Sequence, residues 1–282
     1  MANDVPEINV DRPLKVGGAG AGDRLRRGGF AQSAVTALRG VNSAHGLVLA
    51  IEGAWGSGKT SALALIEEQL RGLAEESRPL VIHFNPWLIG DRDALLGQFL
   101  AKLAGAVSLP DHAKNGKKVA KELAAYSKAF DVLRLVPGVE PWASIVKSVF
   151  SLTGSAVSAV SDLKSPDLEG RKGAVANALA KFPRPIIVII DDIDRLFPLE
   201  VYEMVRIVKA VGDLPNIGYV LAWDANYVAD ALIKASVPDA KGYLDKIVQV
   251  RMPLPLMSPS ARQELLNTAL ERLPAEALAE HF

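Results

Sequence analysis

The chain has 282 residues, with 32 basic and 32 acidic side chains and no cysteine. This length allows one large α/β domain with an insertion or helical annex, and the balanced charge excludes a global field that would attract nucleic acid. The missing cysteines exclude disulfides and thiolate chemistry, and the first residues lack the apolar segment of a secretory signal, so we expect a cytoplasmic protein.

Apolar periodicity predicts helices and strands that alternate along most of the chain after a Gly-, Asp- and Arg-rich start. Residues 1–28 are expected to form an extended lead-in rather than packed structure. Helices are predicted at 30–38, 60–72, 92–106, 171–181, 200–211 and from Ala225. Strands are predicted at 47–51, 80–84, 185–190, 217–223 and 246–250. Near-continuous apolar strands between helices predict a parallel sheet covered on both faces.

Residues 107–170 interrupt this alternation and carry no strand signal, which divides the predicted core into 29–106 and 171–257. The first part of this insertion is basic and helical. Its second part, "PWASIVKSVFSLTGSAVSAVSDL", has an apolar stripe and a serine stripe on opposite faces and a lysine inside it. We therefore favour a helix that packs against its own domain or a partner over one that contacts or enters a membrane.

The stretch "GAWGSGKTS" follows the first predicted strand and opens the next helix. Glycines are needed in a phosphate-binding loop because the backbone must curl until successive N–H groups point inward. Lys59 would reach the β- and γ-phosphates, and the Thr60 hydroxyl would ligate Mg²⁺. The predicted nucleotide-binding residues here are Gly53, Ala54, Trp55, Gly56, Ser57, Gly58, Lys59, Thr60 and Ser61.

A nucleotide hydrolase also needs a carboxylate at the end of a neighbouring buried strand, and "IIVIIDDIDR" supplies candidates. We predict that Asp191 helps to hold Mg²⁺ and that Asp192 orients the attacking water as a general base. The alternative is that both only cap the next helix or form surface ion pairs. Arg195 either pairs with Asp192 or Asp194 or serves in a subunit contact or in sensing the γ-phosphate.

Other polar groups follow predicted strands, at the edge where ligands of parallel sheets bind. Asp224 is a candidate catalytic residue that would sense the γ-phosphate or the attacking water; the alternative is that it is only a helix N-cap. Trp87 is expected to be a core or interface aromatic. Lys246 and Arg251 flank the last predicted strand, and either could act on the nucleotide of a neighbouring subunit or simply be solvated.

Taken together, "DRLRRGGFA", "GAWGSGKTS", "HFNPW", "IIDDIDRL", "YVLAWD" and "YLDKIVQVRMPLP" resemble the KAP family of P-loop NTPases. The resemblance implies a five-stranded sheet in the order 5-1-4-3-2, ATP with Mg²⁺, and an adenine pocket built partly from the segment around Arg26 to Phe30. It also implies a helical lid, which would begin in 258–282. Many members carry a transmembrane hairpin where residues 107–170 lie, but the amphipathic sequence here departs from that pattern.

Two functions remain open from the sequence. The first is an ATPase that acts as a nucleotide-driven switch or assembly module, with a homo-oligomer or an effector protein as partner; the resemblance suggests phage defence. The second is a scaffold that binds ATP without hydrolysing it and contacts a partner protein or membrane through the insertion. A phosphotransferase would need an acceptor site that the sequence does not indicate.

Overall fold

The computed structural model describes residues 13–20, 22–89, 94–108, 113–134 and 168–270. The second half of the predicted insertion and residues 271–282 of the predicted lid lie outside these ranges. Within them, no helix is both long and apolar enough to cross a membrane.

The described elements alternate between helix and strand over most of the chain. The strands are β1 (Leu47–Glu52), β2 (Leu80–Phe84), β3 (Ile186–Ile190), β4 (Ile217–Trp223) and β5 (Val250–Pro253). The helices are α1 (Gly28–Leu38), α2 (Lys59–Arg71), α3 (Leu95–Val107), α4 (Ala113–Arg134), α5 (Leu168–Leu179), α6 (Pro198–Val211), α7 (Ala225–Lys234), α8 (Ala240–Asp245) and α9 (Pro259–Leu270). Short 3-10 turns cover Glu75–Ser77, Pro86–Leu88 and Ile193–Arg195.

The five strands form one parallel sheet in the order β5-β1-β4-β3-β2. This confirms the predicted parallel sheet and its order 5-1-4-3-2. Every residue of β3 and β4 is buried, as expected for apolar strands covered on both sides. Alternate residues of β1 enter different clusters, with Val48 and Ala50 facing one and Leu49 and Ile51 the other.

The two faces of the sheet carry different helices. Buried residues of α1 and α2 pack on one face, and those of α3 to α8 belong to the larger cluster on the other. In the first half of the predicted insertion, α4 packs against α3 and α5. Its side chains Val119, Leu123 and Tyr126 are fully buried in the larger cluster. This part of the insertion therefore extends the core.

Asn216 forms hydrogen bonds that link the starts of β3 and β4. It has a positive φ of 63°, a conformation that Asn tolerates better than most residues. Its side-chain amide donates to the carbonyls of Leu179, Phe182 and Arg184 at 3.2, 3.0 and 3.1 Å. Its backbone N–H donates to the Asn42 carbonyl at 2.8 Å. One buried side chain thus joins the end of α5 to the starts of β3 and β4.

The lead-in differs from its prediction in the part that the structure describes. Residues 13–20 and 22–27 form turns that pack on α2, and Ala19 is fully buried. The N–H groups of Ala19 and Gly20 donate to the Glu68 carboxylate at 2.7 and 3.2 Å. The expectation of an unpacked segment is wrong here because a side chain of α2 satisfies the backbone of these turns.

The position predicted for the last strand is also wrong. Residues 246–250 were expected to form it, but β5 begins only at Val250. Lys246 is the C-cap of α8, and the N–H groups of Ile247 and Val248 donate back to the Leu244 carbonyl at 2.9 Å. The apolar pair therefore closes a helical turn, and Arg251 lies inside the strand rather than beside it.

Candidate nucleotide-binding site

The loop between β1 and α2 has the backbone that a phosphate cradle requires. Gly56 and Gly58 have φ values of 75° and 87°, in the region that side chains disfavour. Gly58 is the N-cap of α2 and brings no side chain to cap it. The first N–H groups of a helix have no intrahelical partners and carry its positive dipole end, so this terminus can bind an anion.

Lys59 begins α2, and its ammonium lies at the centre of the site. Its Nζ is 2.8 Å from Asp194 Oδ2 and donates to the carbonyls of Gly53 and Ala54 at 3.0 and 3.3 Å. The side chains of Lys59 and Asp194 are only 10% and 14% exposed. The ammonium is therefore held on the strand side of the loop by one carboxylate and two carbonyls.

The two predicted Mg²⁺ ligands meet across the site. The Thr60 hydroxyl donates to Asp191 Oδ2 at 2.9 Å, although the two residues are far apart in the sequence. Burial raises the pKa of Asp191, against the lowering effect of hydrogen bonds from the Asp192 N–H and Thr60, and the charges of Asp192 and Asp194 raise it further. A cation placed beside this carboxylate would favour its ionised form.

Asp192, the predicted general base, is engaged by two other side chains. It has a positive φ of 61°. Its Oδ1 is 2.7 Å from Arg195 Nε, and its Oδ2 accepts from Asn85 Nδ2 at 2.7 Å. The pairing alternative for Arg195 is thus the one that the structure displays. The Arg195 guanidinium also lies 5.5 and 6.0 Å from the ring centroids of Trp87 and Trp55, both of which are exposed.

An open cavity of about 300 Å³ joins these groups. Its lining comes from the loop, the acidic segment after β3 and the lead-in: Trp55, Gly56, Gly58, Lys59, Thr60, Ser61, Asp191, Asp192, Asp194, Arg195 and Pro13. Gly53, Ala54 and Ser57 belong to the loop but are not among these lining residues. Among the described residues of the predicted adenine pocket, Arg26 is exposed and Phe30 packs partly buried against the α1–α2 cluster, and neither lines the cavity.

The remaining candidates do not line the cavity. Asp224 is the N-cap of α7, where its side chain accepts from the N–H groups of Asn226 and Tyr227. Lys246 is exposed at the end of α8. Arg251 lies 2.8 Å from Asp245 and 3.4 Å from Glu52. The structure therefore gives Asp224 its capping alternative and pairs Arg251 within its own chain.

For two residues of the site, Asp194 and Arg27, the sequence did not predict the contacts that the structure shows. Asp194 was named only as a partner for Arg195, but it contacts Lys59 instead. Arg27 is buried, and its guanidinium donates to the carbonyls of Gly58 and Pro255 at 3.4 and 3.2 Å. Burial lowers the pKa of Arg27, partly offset by Asp23. The run of arginines before α1 was a signal, but nothing in it distinguished Arg27 from its neighbours.

The residues present fit a nucleotide with its metal ion. Within the loop the Ser57 hydroxyl is buried, with no hydrogen-bond partner among the described residues. A Cβ on Gly58 would come within 2.6 Å of the Arg27 guanidinium, so the cradle tolerates no side chain there. The described residues contain no cluster of three or more acidic or His side chains able to hold a metal unaided. With Thr60 and Asp191, phosphate oxygens of the nucleotide and waters would supply the ligands that Mg²⁺ requires.

A parallel sheet with a phosphate loop after β1 and an acidic pair after β3 defines the P-loop NTPase class. The model of the KAP family P-loop domain matches residues 27–282, and the chain belongs to that family.

Similar proteins were found by sequence and by structure. The phage T7 exclusion protein of Escherichia coli (strain K12) is 32% identical over 228 residues, which cover 74% of this chain and 30% of that protein. The chain thus spans less than a third of this relative's length. The Aeropyrum pernix ORC1 protein, solved in complex with DNA, has a TM-score of 0.43 at 17% identity and covers 94% of this chain and 52% of its own. The ORC2 protein has the same TM-score at 12% identity, over 94% and 54%.

Proposed function

We propose that this protein binds and hydrolyses ATP with Mg²⁺ and acts as a nucleotide-driven switch or assembly module. The observation that carries the proposal is the 2.9 Å contact between the Thr60 hydroxyl and the Asp191 carboxylate beside the phosphate loop. A role in phage defence is part of this proposal, and it is supported by the similarity to the phage T7 exclusion protein, which is much longer than this chain.

Each side chain has a role set by its place. The N–H groups at the start of α2 and the Lys59 ammonium bind the phosphates. Thr60 and Asp191 would hold Mg²⁺, which when bound neutralises charge that develops on the phosphates. Asp192 would accept a hydrogen bond from the attacking water and orient it. For this last role the water would share a carboxylate oxygen with Arg195 or Asn85, or displace one of them.

The engagement of Asp192 also favours the second candidate, a scaffold that binds ATP without hydrolysing it. Each carboxylate oxygen already accepts from one side chain, which makes Asp192 a poorer acceptor for the attacking water in this conformation. A partner molecule or a second copy of the chain that drew Arg195 or Asn85 away would then raise the basicity of Asp192. If a second copy supplies a cation to this nucleotide, Lys246 is the better candidate because it is exposed. Arg251 is already paired with Asp245 and Glu52 of its own chain.

Phosphate release from Mg²⁺-ATP separates the two candidates. We expect turnover that disappears in Asp192→Asn while ATP still binds, and an unchanged rate in Asp230→Asn, which removes an exposed carboxylate on α7. A rate per molecule that rises with protein concentration would support self-association. Tight ATP binding without turnover would favour the scaffold. Unaltered ATP affinity in Lys59→Ala would refute the site itself.

A further inference from the structure

The ammonium of Lys59 has no free proton to offer a phosphate. An ammonium has three donors, and three oxygens lie within reach of Nζ: Asp194 Oδ2 at 2.8 Å and the carbonyls of Gly53 and Ala54 at 3.0 and 3.3 Å. A phosphate oxygen can therefore bind Lys59 closely only if one of these oxygens gives way.

Asp194 is held in place by more than Lys59. It lies in the 3-10 turn Ile193–Arg195 after β3, and the same Oδ2 also accepts from the backbone N–H of Asp224 at 3.1 Å. The carboxylate is thus anchored at the ends of two neighbouring strands. This anchoring keeps a negative charge beside the phosphate loop without help from the ammonium.

The charge of Asp194 opposes nucleotide binding in two ways. It neutralises the ammonium in a mostly buried pair, where a charge-assisted contact is stronger than at the surface. It would also repel a phosphate anion that approached the same ammonium. The two carbonyls belong to the loop and carry no net charge, so Asp194 is the contact whose removal favours the anion most.

We propose that Asp194 is a positioning residue that lowers the affinity for nucleotide by holding Lys59 until a phosphate displaces it. The inference rests on the proposed function, because it concerns the same phosphate site. It predicts that loss of the carboxylate tightens binding, whereas loss of a merely structural contact or of a metal ligand would weaken it.

The test is the dissociation constant of ATP by titration calorimetry, measured for the full chain with Mg²⁺ and again in EDTA. Asp194→Asn is expected to bind about tenfold more tightly in both conditions, since it gives up one charged contact to Lys59. The control is Asp213→Asn, which removes an exposed carboxylate 2.7 Å from Lys172 before β4. Its affinity should equal that of the wild type.

The outcomes are distinct. Equal or weaker binding by Asp194→Asn in EDTA overturns the inference, and weakening confined to Mg²⁺ would assign Asp194 to the metal shell instead. If that variant does not fold, Asp194→Ser makes the same charge change with a smaller side chain and carries the same expectation. If the wild type, Asp194→Asn and Asp194→Ser all fail to bind ATP, the proposed function is refuted. If the wild type binds ATP and neither variant binds it more tightly, only the role of Asp194 is refuted.

Discussion

Replacing Arg27 by methionine should destabilise the fold and weaken nucleotide binding together. Methionine keeps an unbranched apolar stem but loses the guanidinium that donates to the carbonyls of Gly58 and Pro255. Gly58 is the N-cap of α2, and Pro255 follows β5, so this one group joins the phosphate loop to the edge strand of the sheet. Without the guanidinium, both carbonyls lose a donor, and the phosphate loop loses its hydrogen bond to residue 27.

The magnitude follows from the geometry of the two contacts. A hydrogen bond from a charged donor contributes about 1.5 kcal/mol at the low end, and distances of 3.2 and 3.4 Å place both contacts there. Their sum is about 3 kcal/mol, but the buried guanidinium also incurs a desolvation cost, which is why its pKa is lowered. The net loss of unfolding free energy should be about 1 to 2 kcal/mol. If about 1 kcal/mol of that reflects order in the loop, ATP affinity falls roughly fivefold.

The assay pairs urea denaturation with ATP titration on the same samples. Arg24→Met is the matched control, because it makes the same change at an exposed position three residues earlier. We expect the control to resemble the wild type in both measurements. The reasoning fails if Arg27→Met leaves the denaturation midpoint and the ATP affinity unchanged, or if Arg24→Met reproduces its effects.

Three further predictions concern the metal ligand and the fold. Thr60→Val should abolish the gain in ATP affinity that Mg²⁺ provides while leaving binding in EDTA nearly unchanged, as titration calorimetry with and without the metal would show; equal loss in both conditions would contradict it. Asn216→Ala should lower the unfolding free energy by about 3 kcal/mol, because the two amide protons shared by three carbonyls are lost and Ala tolerates the positive φ less well than Asn. Asn216→Gly should recover only the backbone part of that loss, about 1 kcal/mol, in urea denaturation. Gly46→Ala should lower the unfolding free energy by about 2 kcal/mol or more, because its Cβ would clash with the Leu214 carbonyl oxygen. Gly173→Ala is the control, since it lies on α5 with no atom within 4 Å of the new Cβ. Thermal unfolding should show the control to be neutral or stabilised.

The central sheet was predictable because its strands are apolar throughout. The stretches "IIVII" and "IGYVLAW" can be stable only when buried on both faces, and β3 and β4 are buried at every residue. The phosphate loop was predictable because the glycine spacing followed by Lys59 and Thr60 occurs between a predicted strand and a predicted helix, which is the context that a phosphate loop requires. Thr60 and Asp191 then meet because the carboxyl ends of parallel strands share one edge.

Other features depend on geometry that sequence patterns do not carry. The edge strand β5 is only partly buried and has mixed polarity, so its apolar signal was weaker than that of the preceding helical turn. Asp192 and Asp194 differ by two positions in a 3-10 turn, and the turn alone decides which of them faces Lys59. Arg26 and Arg27 are adjacent, but the positive φ of Arg26 leaves it exposed while its neighbour enters the core.

The cations described around the cavity share one property that bears on a switch. Lys59 is paired with Asp194, Arg195 with Asp192, and Arg27 with two backbone carbonyls. A phosphate that binds the Lys59 ammonium must therefore displace one of its partners rather than use a free donor. Asp194 belongs to the segment between β3 and α6 and also accepts from the backbone N–H of Asp224 at the start of α7. Nucleotide binding would thus change contacts beside the starts of α6 and α7, so a change at the phosphate site could be transmitted to these two helices.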